Sequence, residues 1–268
     1  MSTSSNIHPF CVSITGADDA VQLDDLVALS RAFPFVEWGI LYLPAKEGKP
    51  RYPTREWRAA LARARQVNGI RTALHLCSDD TFWMLLSTTY EKYLPFIHNE
   101  LRVHDRVQVN INARGKAFTA NEVFAVYQTL ACHGARLILQ QHEGTAKAID
   151  EYLASMSLGA LARGAHAGDF SVLLDASKGK GITPEAWSAP FIFDGHAVQT
   201  GYAGGISPEN IDAVLDATEK AVLEHGQPGA SYWLDMETGV RSDNRFDLDK
   251  VERVLSAVAR RTPVTSAT

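Results

Sequence analysis

The chain has 268 residues, 46% of them hydrophobic and 21% charged, enough apolar material for a sizeable core. A net charge of −5 with a pI near 6.0, and no block or stripe of Lys and Arg, argue against a nucleic-acid or anionic-membrane surface. Cys11, Cys77 and Cys132 lack C-x-x-C spacing, which speaks against a disulfide framework or structural zinc. With no secretory leader and no run of ~18 apolar residues, a reducing, cytoplasmic setting is expected.

Short β-rich apolar runs alternate with longer segments of helical period. Strands are predicted at 10–15, 36–43, 70–77, 106–112, 136–141, 170–176, 197–202 and 231–237. Helices are predicted at 18–32, 54–67, 79–100, 119–133, 145–163, 207–225 and 247–260, with only the short turn "TPEAWSAP" standing for helix six. Thr119 and Glu122 have capping-box spacing and Asp247 is an N-cap candidate. No linker, charge run or repeat divides the chain, so one domain over residues 1–268 is expected. Eight βα units in about 250 residues is the size and count of a (β/α)8 TIM barrel. A doubly wound open sheet is the alternative, but it would mark a nucleotide site in the first βα turn, where "ITGADDA" has a single glycine.

After the seventh predicted strand stands "AGGISPENI". Gly204 and Gly205 let a ligand approach backbone N–H groups, while Ser207, Pro208 and Glu209 have the order of N-cap, first helical residue and dipole-complementing acid. In a barrel this is where the loops after strands seven and eight hold a phosphate. The expected anion site is therefore Gly204, Gly205, Thr238 and Gly239, and the partner is a phosphorylated small molecule. Alternation adds further candidates at strand ends. Asp175 closes strand six as a catalytic carboxyl or a loop-binding group. His75 points inward on strand three with Cys77, Gln108, Asn110 and Asn112 share a face of strand four, and Asp235 and Glu237 share a face of strand eight. Lys178, Gly179, Lys180 and Gly181 match no nucleotide-binding motif and read as a loop over the site, and the histidines lack metal-ligand spacing.

Five stretches, in order, resemble the phosphoribosylanthranilate isomerase family. "ITGADDA" resembles its I-T-R-x-E-D-A turn, "GKPRYPTREW" its S-P-R-Y-V-S loop, and "LLDASKGKGITPEAW" its L-L-D…G-G-T-G…F-D-W segment. "AGGISPENI" resembles A-G-G-L-x-P-E-N-V most closely, and "LDMETGVRSD" is a weaker echo of V-D-x-S-S-G-V-E. The resemblance implies a cofactor-free Amadori isomerisation, with Asp175 as the general acid that opens the sugar and Arg51 gripping the substrate's carboxylate. The family's base is a cysteine in C-G-I-T. Gapless alignment on Ile14 and Thr15 puts Val12 there, with Cys11 one residue earlier and on the opposite strand face unless a bulge intervenes. Isomerisation then requires Cys11 turned into the lumen or another base such as His75. A related barrel enzyme for another sugar phosphate or aromatic substrate, and a ligand-binding barrel without catalysis, are the alternatives. A homodimer is compatible with either.

Overall fold

The computed structural model describes residues 8–87, 95–96, 99–110, 118–142, 145–163, 170–176, 182–225 and 230–261. Eight strands form a closed parallel barrel: β1 (Cys11–Thr15), β2 (Val36–Tyr42), β3 (Arg71–Cys77), β4 (Arg106–Asn110), β5 (Leu137–Gln141), β6 (Phe170–Asp175), β7 (Thr200–Ala203) and β8 (Tyr232–Met236). Each pairs with its neighbours in sequence, and β1 closes the ring between β2 and β8. Around them lie α1 (Leu23–Ala32), α2 (Arg55–Asn68), α3 (Ser78–Ser87), α4 (Ala120–Cys132), α5 (Ala146–Arg163), α6 (Ile211–His225) and α7 (Leu248–Arg261). This is the (β/α)8 barrel that the alternating pattern predicts.

Strand alternation separates two layers. Val12, Ile14, Trp38, Ile40, Leu74, Leu76, Val107 and Val109 belong to the large clusters between strands and helices, whereas Cys11, Ala73, Ile138, Leu173, Ala203 and Trp233 pack together in the lumen. Beside Cys11, Ala73 and Trp233 the lumen carries charge. Arg106 donates from Nε and Nη2 to Glu37 at 2.9 and 2.6 Å, and its guanidinium lies 4.4 Å from the Trp233 ring centre. A fork-to-carboxylate pair stacked on indole satisfies both buried charges.

Local signals place most helix ends. The Thr119–Glu122 capping box is present, and Asp247 Oδ1 accepts from the Lys250 amide ahead of α7. Two starts differ from expectation. α1 begins at Leu23 and not at residue 18, because Asp18 folds the preceding residues into a turn, accepting from Ala20 N at 3.2 Å and from Arg51 N at 2.7 Å. α6 begins at Ile211 and not at residue 207, because Asn210 Oδ1 captures the Ser207 amide at 2.8 Å while the Asn210 carbonyl accepts from Val214. The predicted helix 79–100 is helical over Ser78–Ser87 and again at Pro95, Phe96 and Asn99, ahead of a 3-10 turn at Leu101–Val103; residues 88–94, 97 and 98 lie outside the described part. Between β6 and β7, a small hairpin pairs Ile192–Phe193 with His196–Ala197, so the seventh strand begins at Thr200 and not at residue 197.

Candidate functional site

A cavity of about 440 Å³ opens at the C-terminal ends of the strands. It brings together Arg51, His75, Asn110, Asp175, Gly204, Gly205, Asp235, Thr238 and Gly239 of the sequence-predicted residues, and leaves out Cys11. Asn112 and the stretch from Lys178 to Gly181 lie outside the described residues.

Two carboxyls flank one small residue. Asp175 on β6 and Asp235 on β8 are both in register with Ala203 on β7, which places them on either side of a side chain too short to separate them. Gln140 Nε2 donates to Asp175 Oδ2 at 2.9 Å, and Thr15 Oγ1 donates to Asp235 Oδ1 at 3.0 Å. Asp235 is half-buried and lines the cavity. Burial, with added repulsion from Glu237, Asp175 and Glu37, pushes its carboxyl up to about 7 against the opposing Thr15 bond. A carboxyl near neutrality is divided between acid and base, the condition for proton transfer at physiological pH.

His75 faces the lumen from β3, is 2% exposed, and its Nε2 has no hydrogen-bond partner among the described residues. Burial, then the Arg106 cation below and His104, push it down to about 3, so the imidazole is neutral at pH 7 and a weak proton acceptor. Cys77 above it donates to the His75 carbonyl at 3.4 Å and accepts from Asn110 Nδ2 at 3.7 Å; burial, then Glu237, raise the thiol to about 12.

The facing of the first strand is the reverse of the expectation. Register on both sides of β1 runs without a bulge, Val12 packs outward, and Cys11 faces the lumen. Inward orientation does not bring it to the mouth. It sits four residues below Thr15, about 13 Å along the strand. There it is fully buried, accepts from Arg106 Nη2 at 3.6 Å, and is held far from ionisation by burial and then by Glu37. The thiolate that acts as a base is disfavoured at that depth.

Arg51 reaches the cavity from the loop after β2 and is already engaged. Its Nη1 donates to Glu237 Oε1 at 2.5 Å and its Nε to Asn244 Oδ1 at 3.1 Å. Arg241, buried behind it, donates to the carbonyls of Gly16 and Asn244 at 2.7 and 2.6 Å and lies 3.4 Å from Asp18 Oδ2. Sequence reasoning missed Thr15, Gln140 and Arg241. Counting alternate residues from Ile138 would have found Gln140; Arg241, past the end of β8, carries no local signal.

The glycine loops are tightly built. Gly204 and Gly205 have φ of +136° and +58°. A Cβ on Gly205 would lie 2.3 Å from Thr183 N, and one on Gly239, in the 3-10 turn Thr238–Val240, 1.9 Å from the Ile206 carbonyl oxygen. The loop after β6 thus rests on Gly205, and the loops after β7 and β8 touch backbone to backbone. With the Ser207 amide held by Asn210, an anion at this place is left with the Gly204–Ile206 stretch and the Thr238–Gly239 turn.

No protein-family model matches the sequence, and no curated protein does. Among solved structures, N-(5'-phosphoribosyl)anthranilate isomerase from Pyrococcus furiosus is 15% identical, with 94% of this chain and 99% of that one covered and a TM-score of 0.49. Phospho-2-dehydro-3-deoxyheptonate aldolase from Thermotoga maritima is 11% identical, with 96% and 69% covered and a TM-score of 0.51. 3-Keto-L-gulonate-6-phosphate decarboxylase from Vibrio cholerae is 11% identical, with 96% and 100% covered and a TM-score of 0.48. At 11% identity the likeness to the aldolase is one of fold alone.

Proposed function

We propose that the protein is an enzyme that binds a phosphorylated sugar derivative at the barrel mouth and interconverts its aldose and ketose forms, an isomerisation of the Amadori type that needs no cofactor. The observation that carries this reading is the pair Asp175 and Asp235 converging across Ala203, one of them with a carboxyl near 7. Asp175 acts as the acid, giving a proton to the ring oxygen as the bond from the first carbon to that oxygen breaks. Asp235 acts as the base in place of the family's cysteine. It takes the proton from the second carbon, whose electron pair becomes the double bond to the first, as the pair of the double bond that ring opening left on the first carbon passes to the nitrogen or oxygen there. Reprotonation at the first carbon and loss of the hydroxyl proton at the second give the ketose, with no net gain or loss of electrons. The backbone around Gly204, Gly205, Thr238 and Gly239 supports a phosphate anchor at the same mouth.

The test is exchange of the proton at the second carbon in D₂O, followed by proton NMR with phosphoribosylanthranilate and a panel of aldose 5- and 6-phosphates. Exchange by the wild type that is lost in Asp235→Asn and Asp175→Asn is the expected result. Exchange that persists in Asp235→Asn, or none with any of these compounds, would overturn the proposal.

A further inference from the structure

One wall of the mouth is chemically distinct from the carboxylate side. β3, β4 and β5 send His75, Gln108, Asn110 and Gln140 into the cavity, all neutral at pH 7 and all both donors and acceptors. Two of them are poorly satisfied. His75 Nε2 is buried with no partner among the described residues, and the half-buried Asn110 donates to the sulfur of Cys77 at 3.7 Å, a weak acceptor, while its own oxygen takes the Gln108 amide at 2.6 Å. A buried polar atom left without a partner calls for one, and a ligand in the cavity can supply it.

We infer that this wall receives the hydroxyl groups of a polyhydroxy chain, so that the substrate is a sugar phosphate whose far end carries hydroxyls and no aromatic acid. A hydroxyl donates and accepts at once, which amides and a neutral imidazole match on both counts. A carboxylate accepts only and is best met by cations. The one cation among the described lining residues, Arg51, already holds Glu237, whose charge opposes a second carboxylate. The only phenyl or indole ring among those residues is Tyr52, and the other rings there are the imidazoles of His75 and His142. The buried Arg106 below serves the same end, since its charge helps keep His75 neutral and able to offer a lone pair.

The inference rests on the sugar-phosphate reading above, and the test separates the two. Affinities of the full chain are measured calorimetrically for glucitol 6-phosphate, glucitol, inorganic phosphate and a pentitol 5-phosphate bearing a 2-carboxyanilino group. Glucitol 6-phosphate is expected to bind at least about tenfold more tightly than inorganic phosphate and than the carboxyanilino compound. Asn110→Leu should weaken it by about two- to tenfold, the worth of one hydrogen bond, and leave inorganic phosphate unchanged. A carboxyanilino compound bound as tightly as glucitol 6-phosphate overturns the inference and leaves the phosphate anchor standing. Glucitol bound as tightly as its phosphate supports the hydroxyl wall and removes the phosphate. Failure of both polyols to bind overturns the inference, and the ranking on the wild type decides even if Asn110→Leu does not fold.

Discussion

Replacing Asp235 by Asn should stabilise the fold above neutral pH while removing activity. The carboxyl sits at about 7 in the folded protein against an ordinary 3.8. In the folded state it binds a proton that the unfolded chain has released, so its contribution is fully present below about pH 4 and is lost as pH rises through 7. At about 1.4 kcal/mol per pH unit, that gap corresponds to about 4 kcal/mol as an upper bound. Access of water through the cavity lowers it, while the opposing Thr15 bond is already contained in the value of about 7. A net gain of about 1–3 kcal/mol at pH 8 and none at pH 4 is therefore expected for Asp235→Asn. His75 titrates in the opposite sense: with its folded value lowered to about 3, stability is lost as pH falls below 6.5. The informative quantity is therefore the difference between variant and wild type in urea unfolding at pH 4, 6 and 8, in which the His75 contribution cancels. A difference that does not grow with pH, or a variant less stable at pH 8, would refute the account of Asp235 as a strained, half-neutral carboxyl.

Asp175→Asn should lower turnover by about 10²–10⁴-fold, the worth of a general acid, and a loss below threefold would make Asp175 a structural partner of Gln140. Gly239→Ala should force apart the loops after β7 and β8, because the new carbon would lie 1.9 Å from a backbone oxygen. We expect a loss of about 1–3 kcal/mol in denaturant titration and weaker binding of phosphorylated ligands, and unchanged values for both would contradict the described contact. Glu237→Ser should release Arg51 and raise affinity for the carboxyanilino compound by about tenfold, the scale of one charge-assisted hydrogen bond; equal affinity would mean that Glu237 does not mask Arg51. Arg106→Met should cost about 3–5 kcal/mol by leaving Glu37 buried and unpaired, while Arg106→Met with Glu37→Leu should recover much of that loss; a double variant as weak as the single would place the loss in the stacking on Trp233.

The strands were readable because parallel strands buried on both faces appear as short apolar runs, and the helices because their caps are local. The Thr119–Glu122 box needs only four residues to be recognised. The Ser-Pro-Glu signal at residues 207–209 looked equally local, yet Asn210 takes the Ser207 amide and moves the helix start to Ile211. The polar face of β4 followed from alternation. What alternation could not give is depth: Cys11 and Thr15 share a face, but one lies on the floor beside Arg106 and the other at the mouth beside Asp235. Nor could it give the acidity of Asp235, which depends on burial, on the neighbouring Glu237 and on carboxylates from two other stretches of chain, or the engagement of Arg51 by a residue 186 positions away.

The seam at which β1 meets β8 sets an order of assembly. Thr15 and Asp235 are 220 positions apart, and Arg241 is 225 from Gly16 and 223 from Asp18. As the ribosome delivers the chain from its N-terminus, the first loop of the mouth and the turn that carries Arg51 emerge early and wait for partners encoded in the last seventh or so of the sequence. Contacts of such long range form late in folding. Until they do, Asp18 and Arg51 have only each other, through the Arg51 amide on the Asp18 carboxylate. Closing the mouth is thus the task of Arg241, which ties the first loop of the barrel to the segment that follows its last strand.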